Sequence, residues 1–178
     1  TDTYGTVRSN CRFAGPFPYS GRVPDIYSAA VSKKGTAVVA VLSGKRTLSI
    51  FASSDGGARF TEVKIPHYDE PFVAPQIYAT ERGTFMLFVS LGQNDSFAMY
   101  AAVSPDGFSW SEFSPFLPAD SQVNPFVPVL HSMPKNDVVV FQAQYLLESR
   151  ISYQLYATFS SNEGMTWSKP LLITGASS

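Results

Sequence analysis

The sequence predicts an all-β chain of three consecutive β-propeller blades, each a four-stranded antiparallel sheet. Three observations predict it. Short runs rich in β-branched and aromatic residues recur along the chain. No stretch of about ten residues or more keeps a helical period. Three separate markers repeat together about every fifty residues, which is the length of one four-stranded propeller blade.

Bulk properties narrow the field first. The 178 residues allow one ordinary domain, and 44% hydrophobic against 15% charged residues supply ample core material. A net charge of −1 gives no global field to draw in nucleic acid or an acidic membrane, and no nucleic-acid partner is expected. No apolar stretch approaches the ~20 residues of a membrane helix, so no membrane span is expected. Cys11 is the sole cysteine and can form no internal disulfide. That suits a cytosolic protein and equally an extracytoplasmic or secreted one without bridges, the second being the working expectation. The first residue is Thr1 and no signal peptide is visible, as after its removal or at a chain boundary.

The chain divides into a lead-in over 1–20 and units over 21–70, 71–120 and 121–178. In the first unit, strands are expected at 26–31, 37–42, 47–52 and 60–65. The second offers 76–80, 85–90, 97–103 and 110–113, and the third 127–131, 138–145, 152–159 and 170–173. Tight hairpins at Lys34-Gly35-Thr36, Arg82-Gly83-Thr84 and Lys135-Asn136-Asp137 join first and second strands, since Gly and Asn tolerate positive φ. Prolines 24, 75 and 128 mark the innermost strands and align Tyr27, Tyr78 and His131. That alignment gives His131 a packing role in preference to metal binding.

The strongest marker is a turn. Ser53, Asp55, Gly57 and Phe60 recur as Ser104, Asp106, Gly107 and Trp110, one residue shorter, and as Ser160, Asn162, Gly164 and Trp167. The carboxylate or amide can accept backbone N–H groups inside the turn, Gly permits a left-handed residue, and the aromatic can pack beneath. The pattern resembles the Asp box, the S-x-D-x-G-x-x-W turn of sialidase-like (neuraminidase) BNR-repeat propellers. The resemblance covers all three units. It departs at Phe60, at Asn162 and in the shortened second copy. It implies that these twelve residues are structural and lie on the outer rim, away from any ligand.

The resemblance also implies a ligand site at the propeller mouth. Two residues before each aligned proline stand Arg22, Val73 and Phe126. Gly21-Arg22-Val23-Pro24 is similar to the family's aromatic-Arg-Ile-Pro motif, with Gly in the aromatic's place. Arg22 is thereby implied to bind a sugar carboxylate. On the residues alone it is as readily a surface arginine or one paired with Asp25. The family's acid/base Asp would fall in the loop at 43–47, which has no carboxylate. Asp25 and Asp95 are the remaining catalytic candidates, with a solvated hairpin aspartate the alternative for Asp95. Tyr145 and Glu148 are taken as loop residues, not as the family's nucleophile and its partner.

Other chemistries find no motif. There is no G-x-S-x-G, H-E-x-x-H or Gly-rich phosphate loop. His67 has no partner His or Cys nearby in sequence, so neither metal nor cofactor is expected. Three blades cannot close a six-bladed ring, which leaves a fragment of a longer protein or self-association of copies. Residues 1–20, with Tyr4, Phe13, Phe17 and Tyr19, could lend a strand to a neighbour. Three functions follow: a glycan-binding module, the N-terminal half of an exo-sialidase or related glycoside hydrolase, or a protein-interaction scaffold.

Overall fold

The structure is a computed structural model and describes residues 26–42, 47–65, 72–93, 96–117, 125–147 and 150–173. The chain is all-β. The first sheet holds β1 (Ile26–Val31), β2 (Ala37–Leu42), β3 (Leu48–Ser53) and β4 (Thr61–Val63). The second holds β5 (Phe72–Ala79), β6 (Phe85–Gln93), β7 (Ser96–Ser104) and β8 (Ser114–Pro115). The third holds β9 (Pro125–Ser132), β10 (Asp137–Leu147), β11 (Arg150–Ser160) and β12 (Leu171–Leu172). Neighbouring strands pair antiparallel in chain order. Among the described residues there is no helix, hence none long and apolar enough to cross a membrane.

The hairpins form where expected. Gly35 and Gly83 sit at φ 83° and 94°, a region closed to most side chains. Ser32 N–H bonds to Thr36 O at 2.9 Å, and Thr80 N–H to Thr84 O at 2.8 Å. The outer strands are shorter than the sequence suggested. Residues 110–113 form no strand, because Trp110 and Phe113 turn into the core instead of extending the ladder. Pro170 has no N–H to give, so the last strand begins only at Leu171, with Ile173 N–H adding a bond to Leu155 O at 2.8 Å.

The core lies between the sheets, in two layers. Val38, Ala40, Leu42, Ile50 and Ala52 of the first sheet meet Phe85, Leu87 and Val89 of β6. The opposite face of β6, Met86 and Phe88, meets Val139 and Phe141 of β10. A strand covered on both faces needs a continuous apolar run, and Phe85–Val89 provides one. Phe116 anchors the second layer with its centroid 5.1 Å from Phe88, 5.3 Å from Trp167 and 5.6 Å from Phe141. These near-perpendicular pairs suit the ring quadrupoles.

Two glycines set how closely the sheets stack. A Cβ on Gly107 would stand 2.6 Å from Val38 Cγ2, and one on Gly164 2.8 Å from Met86 Cε. Val38 and Met86 hold the same place in β2 and β6, so each turn rests on the sheet before it. Among the described residues, a Cβ on Gly57 would meet only the Phe60 ring of its own turn, at 3.9 Å. Polar ties add to the stacking: Ile77 N–H bonds to Ser28 Oγ at 3.0 Å, and Tyr78 O–H to Pro128 O at 2.7 Å.

The register corrects the proline alignment in the first sheet. Tyr78 pairs with Met86 and His131 with Val138, but the residue paired with Val38 is Ala30, not Tyr27. Tyr27 pairs with Val41, faces away from the second sheet and is 69% exposed. His131 is exposed, not packed. It shares the outer face of the third sheet with Val129 and Tyr153, themselves 55% and 56% exposed.

The two kinds of glycine predict different costs. Gly35→Ala meets only the left-handed backbone penalty, about 1–2 kcal/mol. Gly107→Ala adds overpacking against Val38 of about 1–3 kcal/mol. Urea unfolding of both variants should therefore rank Gly107→Ala clearly below Gly35→Ala.

Candidate functional site

The three turns share one hydrogen-bond scheme. The Ser hydroxyl donates to the Asp or Asn Oδ1 two residues on, at 2.7 Å for Ser53, 3.2 Å for Ser104 and 3.0 Å for Ser160. The same hydroxyl accepts the N–H of Gly57, Gly107 or Gly164 at 2.8–2.9 Å. Oδ1 then accepts N–H groups further round the turn. Arg59 donates to Asp55, Phe108 and Ser109 to Asp106, and Thr166 to Asn162. The Ser53 hydroxyl, then the Arg59 N–H, hold the exposed Asp55 carboxyl below its ordinary range. For Asp106, slight burial pushes the carboxyl up but is outweighed by the N–H groups of Ser109 and Phe108 and the hydroxyls of Ser104 and Ser109. These carboxylates are held charged and occupied, which is the reverse of what a proton donor needs.

A polar clasp crosses the sheets at the hairpin end. Arg82 Nη2 pairs with the fully buried Asp137, whose other oxygen accepts the Ser132 hydroxyl at 2.6 Å. Ser132 in turn accepts the Glu81 N–H at 2.8 Å, and Lys33 pairs with Glu81. Arg82 Nε lies 3.3 Å from Glu163 Oε1, an ion pair without hydrogen-bond alignment. The Thr84 hydroxyl also donates to Glu163. Sequence reasoning missed this network, whose members lie on separate hairpins and one turn.

Beside the clasp, a cleft of about 570 Å³ opens between the second and third turns. Val103, Pro105, Trp110 and Met165 form its apolar wall. Thr84, Ser161, Asn162 and Glu163 are among its polar groups. Glu163 sits at φ 59°, the one non-glycine with positive φ among the described residues.

The sequence-derived ligand and catalytic candidates are not among the residues that form this cleft or clasp. Arg22, Asp25 and Asp95 lie outside the described residues, as do His67 and Glu148. Tyr145 belongs to β10, not to a loop. Val73 and Phe126 hold equivalent places, paired with Ser90 and Gln142, and a register shift follows each. Counted from the hairpins, the place of Val73 falls in the first sheet to Ile26, paired with Leu42, four residues after Arg22. No group of three or more His, Cys, Asp and Glu suited to a metal occurs among the described residues.

No family model and no curated protein matches the chain. Solved structures do. An endo-arabinase from Bacteroides thetaiotaomicron is 20% identical, with TM-score 0.58 over 89% of this chain and 58% of that one. A protein of unknown function from Dyadobacter fermentans is 15% identical, with TM-score 0.59 over 84% of this chain and 50% of that one. The α-L-arabinofuranosidase Arb93A from Fusarium graminearum is 14% identical, with TM-score 0.54 over 79% of this chain and 46% of that one. At these identities the likeness shows the fold alone. The chain spans 46–58% of the length of these three structures.

Two outcomes follow from the charges. Asp106→Asn keeps an Oδ1 acceptor, as Asn162 does, but removes the charge. Because the native carboxyl is depressed, its stabilisation is complete above the ordinary carboxylate range, about pH 4, and is lost as pH falls through the lowered value. Thermal melts should show wild type ahead of Asp106→Asn at neutral pH, with the gap closing in acid. Asp137→Ala leaves Arg82 without its buried partner and should cost about 3–5 kcal/mol in chemical unfolding.

Proposed function

We propose that this chain is a carbohydrate-binding module of the sialidase-like, Asp-box β-propeller kind, with its ligand held at the propeller mouth. One observation carries the reading. Three four-stranded sheets follow one another, and their turns share one Ser, Asp or Asn, Gly hydrogen-bond scheme. The fold likeness supports it, since two of the similar structures are an α-L-arabinofuranosidase and an endo-arabinase. Propellers commonly seat ligands around the central channel.

Arg22 is the residue we assign to the ligand, as a guanidinium that grips a sugar carboxylate through paired N–H donors. It stands a few residues ahead of the row formed by Ile26, Val73 and Phe126. Further sheets, from the rest of a longer protein or from other copies, complete the ring. Binding is favoured over hydrolysis because the loop at 43–47 carries no carboxylate to act as acid. The N-terminal half of an exo-sialidase or related hydrolase is the second reading, with Asp25 and Asp95 as its candidate acids.

A glycan array comparing wild type with Arg22→Ala tests the assignment. The account expects binding to carboxylated glycans that falls about tenfold or more in the variant, the scale of one lost charge-assisted bond. No glycan binding by either protein would favour the interaction scaffold. Turnover of a fluorogenic sialoside would favour the hydrolase.

A further inference from the structure

We propose that the cleft between the second and third turns is a separate binding site for a neutral oligosaccharide of about two or three sugar residues. It shares no residue with the mouth and rests on its own geometry.

Charge comes first. Arg82 is held by Asp137 and Glu163, and Glu163 by Arg82 and Thr84. Among the described residues that line the cleft there is no cation to hold an anion, and the one carboxylate, Glu163, is already engaged by Arg82 and Thr84. An anionic ligand would lose hydration there with nothing to replace it. A neutral ligand has no such cost.

The lining then selects among neutral ligands. Trp110 is tied in place by its own Nε1–H, which donates to Gly107 O at 3.2 Å. Met165, which also lines the cleft, is 64% exposed, an apolar surface open to solvent. Such a wall suits the C–H face of a sugar ring. The lining also holds groups with hydrogen-bonding capacity to spare. Ser161 Oγ has no partner among the described residues. Asn162 Nδ2 spends one N–H on Thr166 Oγ1, at 2.8 Å, and keeps the other. The first two turns have Asp at this position, which offers no donor when charged. The amide occurs in the third turn, one of the two that border the cleft, and Asn162 itself lines it.

Backbone conformation points the same way. The first turn meets its left-handed position with Gly56, at φ 72°, whereas the third places Glu163 there. The shorter second turn has no such residue, so the junction between the first two turns lacks a counterpart to Glu163. In that conformation Glu163 is held by Arg82 and Thr84, which fixes one edge of the cleft before any ligand arrives.

The chain holds only two tryptophans, which makes the test direct. In the Trp167→Phe variant, emission reports Trp110 alone. The full chain is titrated with arabinotriose, mannotriose, cellotriose and 3′-sialyllactose. The expected result is a saturable emission change with at least one neutral trisaccharide, weakened about tenfold or more when Ser161→Phe fills the cleft. Ser161 is exposed, so this substitution leaves the core untouched. No saturable change with any neutral probe overturns the proposal, as does binding that survives Ser161→Phe. A response to sialyllactose alone, or to a proline-rich peptide run in parallel but to no sugar, also overturns it. Cleft titration lost while acidic-glycan binding persists overturns this site only, and the reverse pattern overturns only the mouth.

Discussion

Gly107 and Gly164 bring the backbone of a turn against the second strand of the neighbouring sheet, closer than any side chain would allow. Most of the architecture depends on that approach. A backbone pressed onto an apolar strand must have its N–H groups satisfied locally. The Ser hydroxyl takes the glycine N–H, and the Asp or Asn takes those that follow. The aromatic that ends each of these turns then joins the layer formed with the preceding sheet, Trp110 in the first and Trp167 in the second. Turn chemistry and core packing are thus two sides of one contact.

The same contact positions the polar features. Because the third turn rests on Met86, Glu163 comes within reach of Arg82 and Thr84 on the adjacent hairpin. Asp137, buried at the start of β10, fixes Arg82 from the other side. A guanidinium held by two carboxylates fixes the Glu163 side chain at the edge of the cleft. The two turns that border this cleft each depart from the first, the second by one residue in length and the third by amide for carboxylate.

Much of the fold was legible in the sequence. The hairpins at Gly35 and Gly83 and the three turns were visible because their residues answer local demands of positive φ and N–H acceptance. The inner three strands of each sheet followed from β-branched and aromatic runs. The outer strands were overread. Trp110 and Phe113 have strand-like chemistry, but tertiary packing takes them into the core. Tyr27 was aligned with Tyr78 by proline spacing, whereas hydrogen-bond register, which no single residue reveals, gives that place to Ala30. The clasp and the cleft were not legible. Arg82, Asp137 and Glu163 are far apart in sequence, and none departs from what an exposed turn would carry. The mouth candidates Arg22, Asp25 and Asp95 rest on resemblance.

The central claim is that the turn glycine is a contact between sheets and more than a backbone convenience. A double-mutant cycle on Gly107→Ala and Val38→Ala measures it directly. If the contact is real, shortening Val38 removes the Cγ2 atom that the new methyl would strike, and the two costs are less than additive by about 1 kcal/mol or more. If the glycine serves only its own φ of 85°, the costs add within about 0.5 kcal/mol, and the account of how these sheets are docked is wrong.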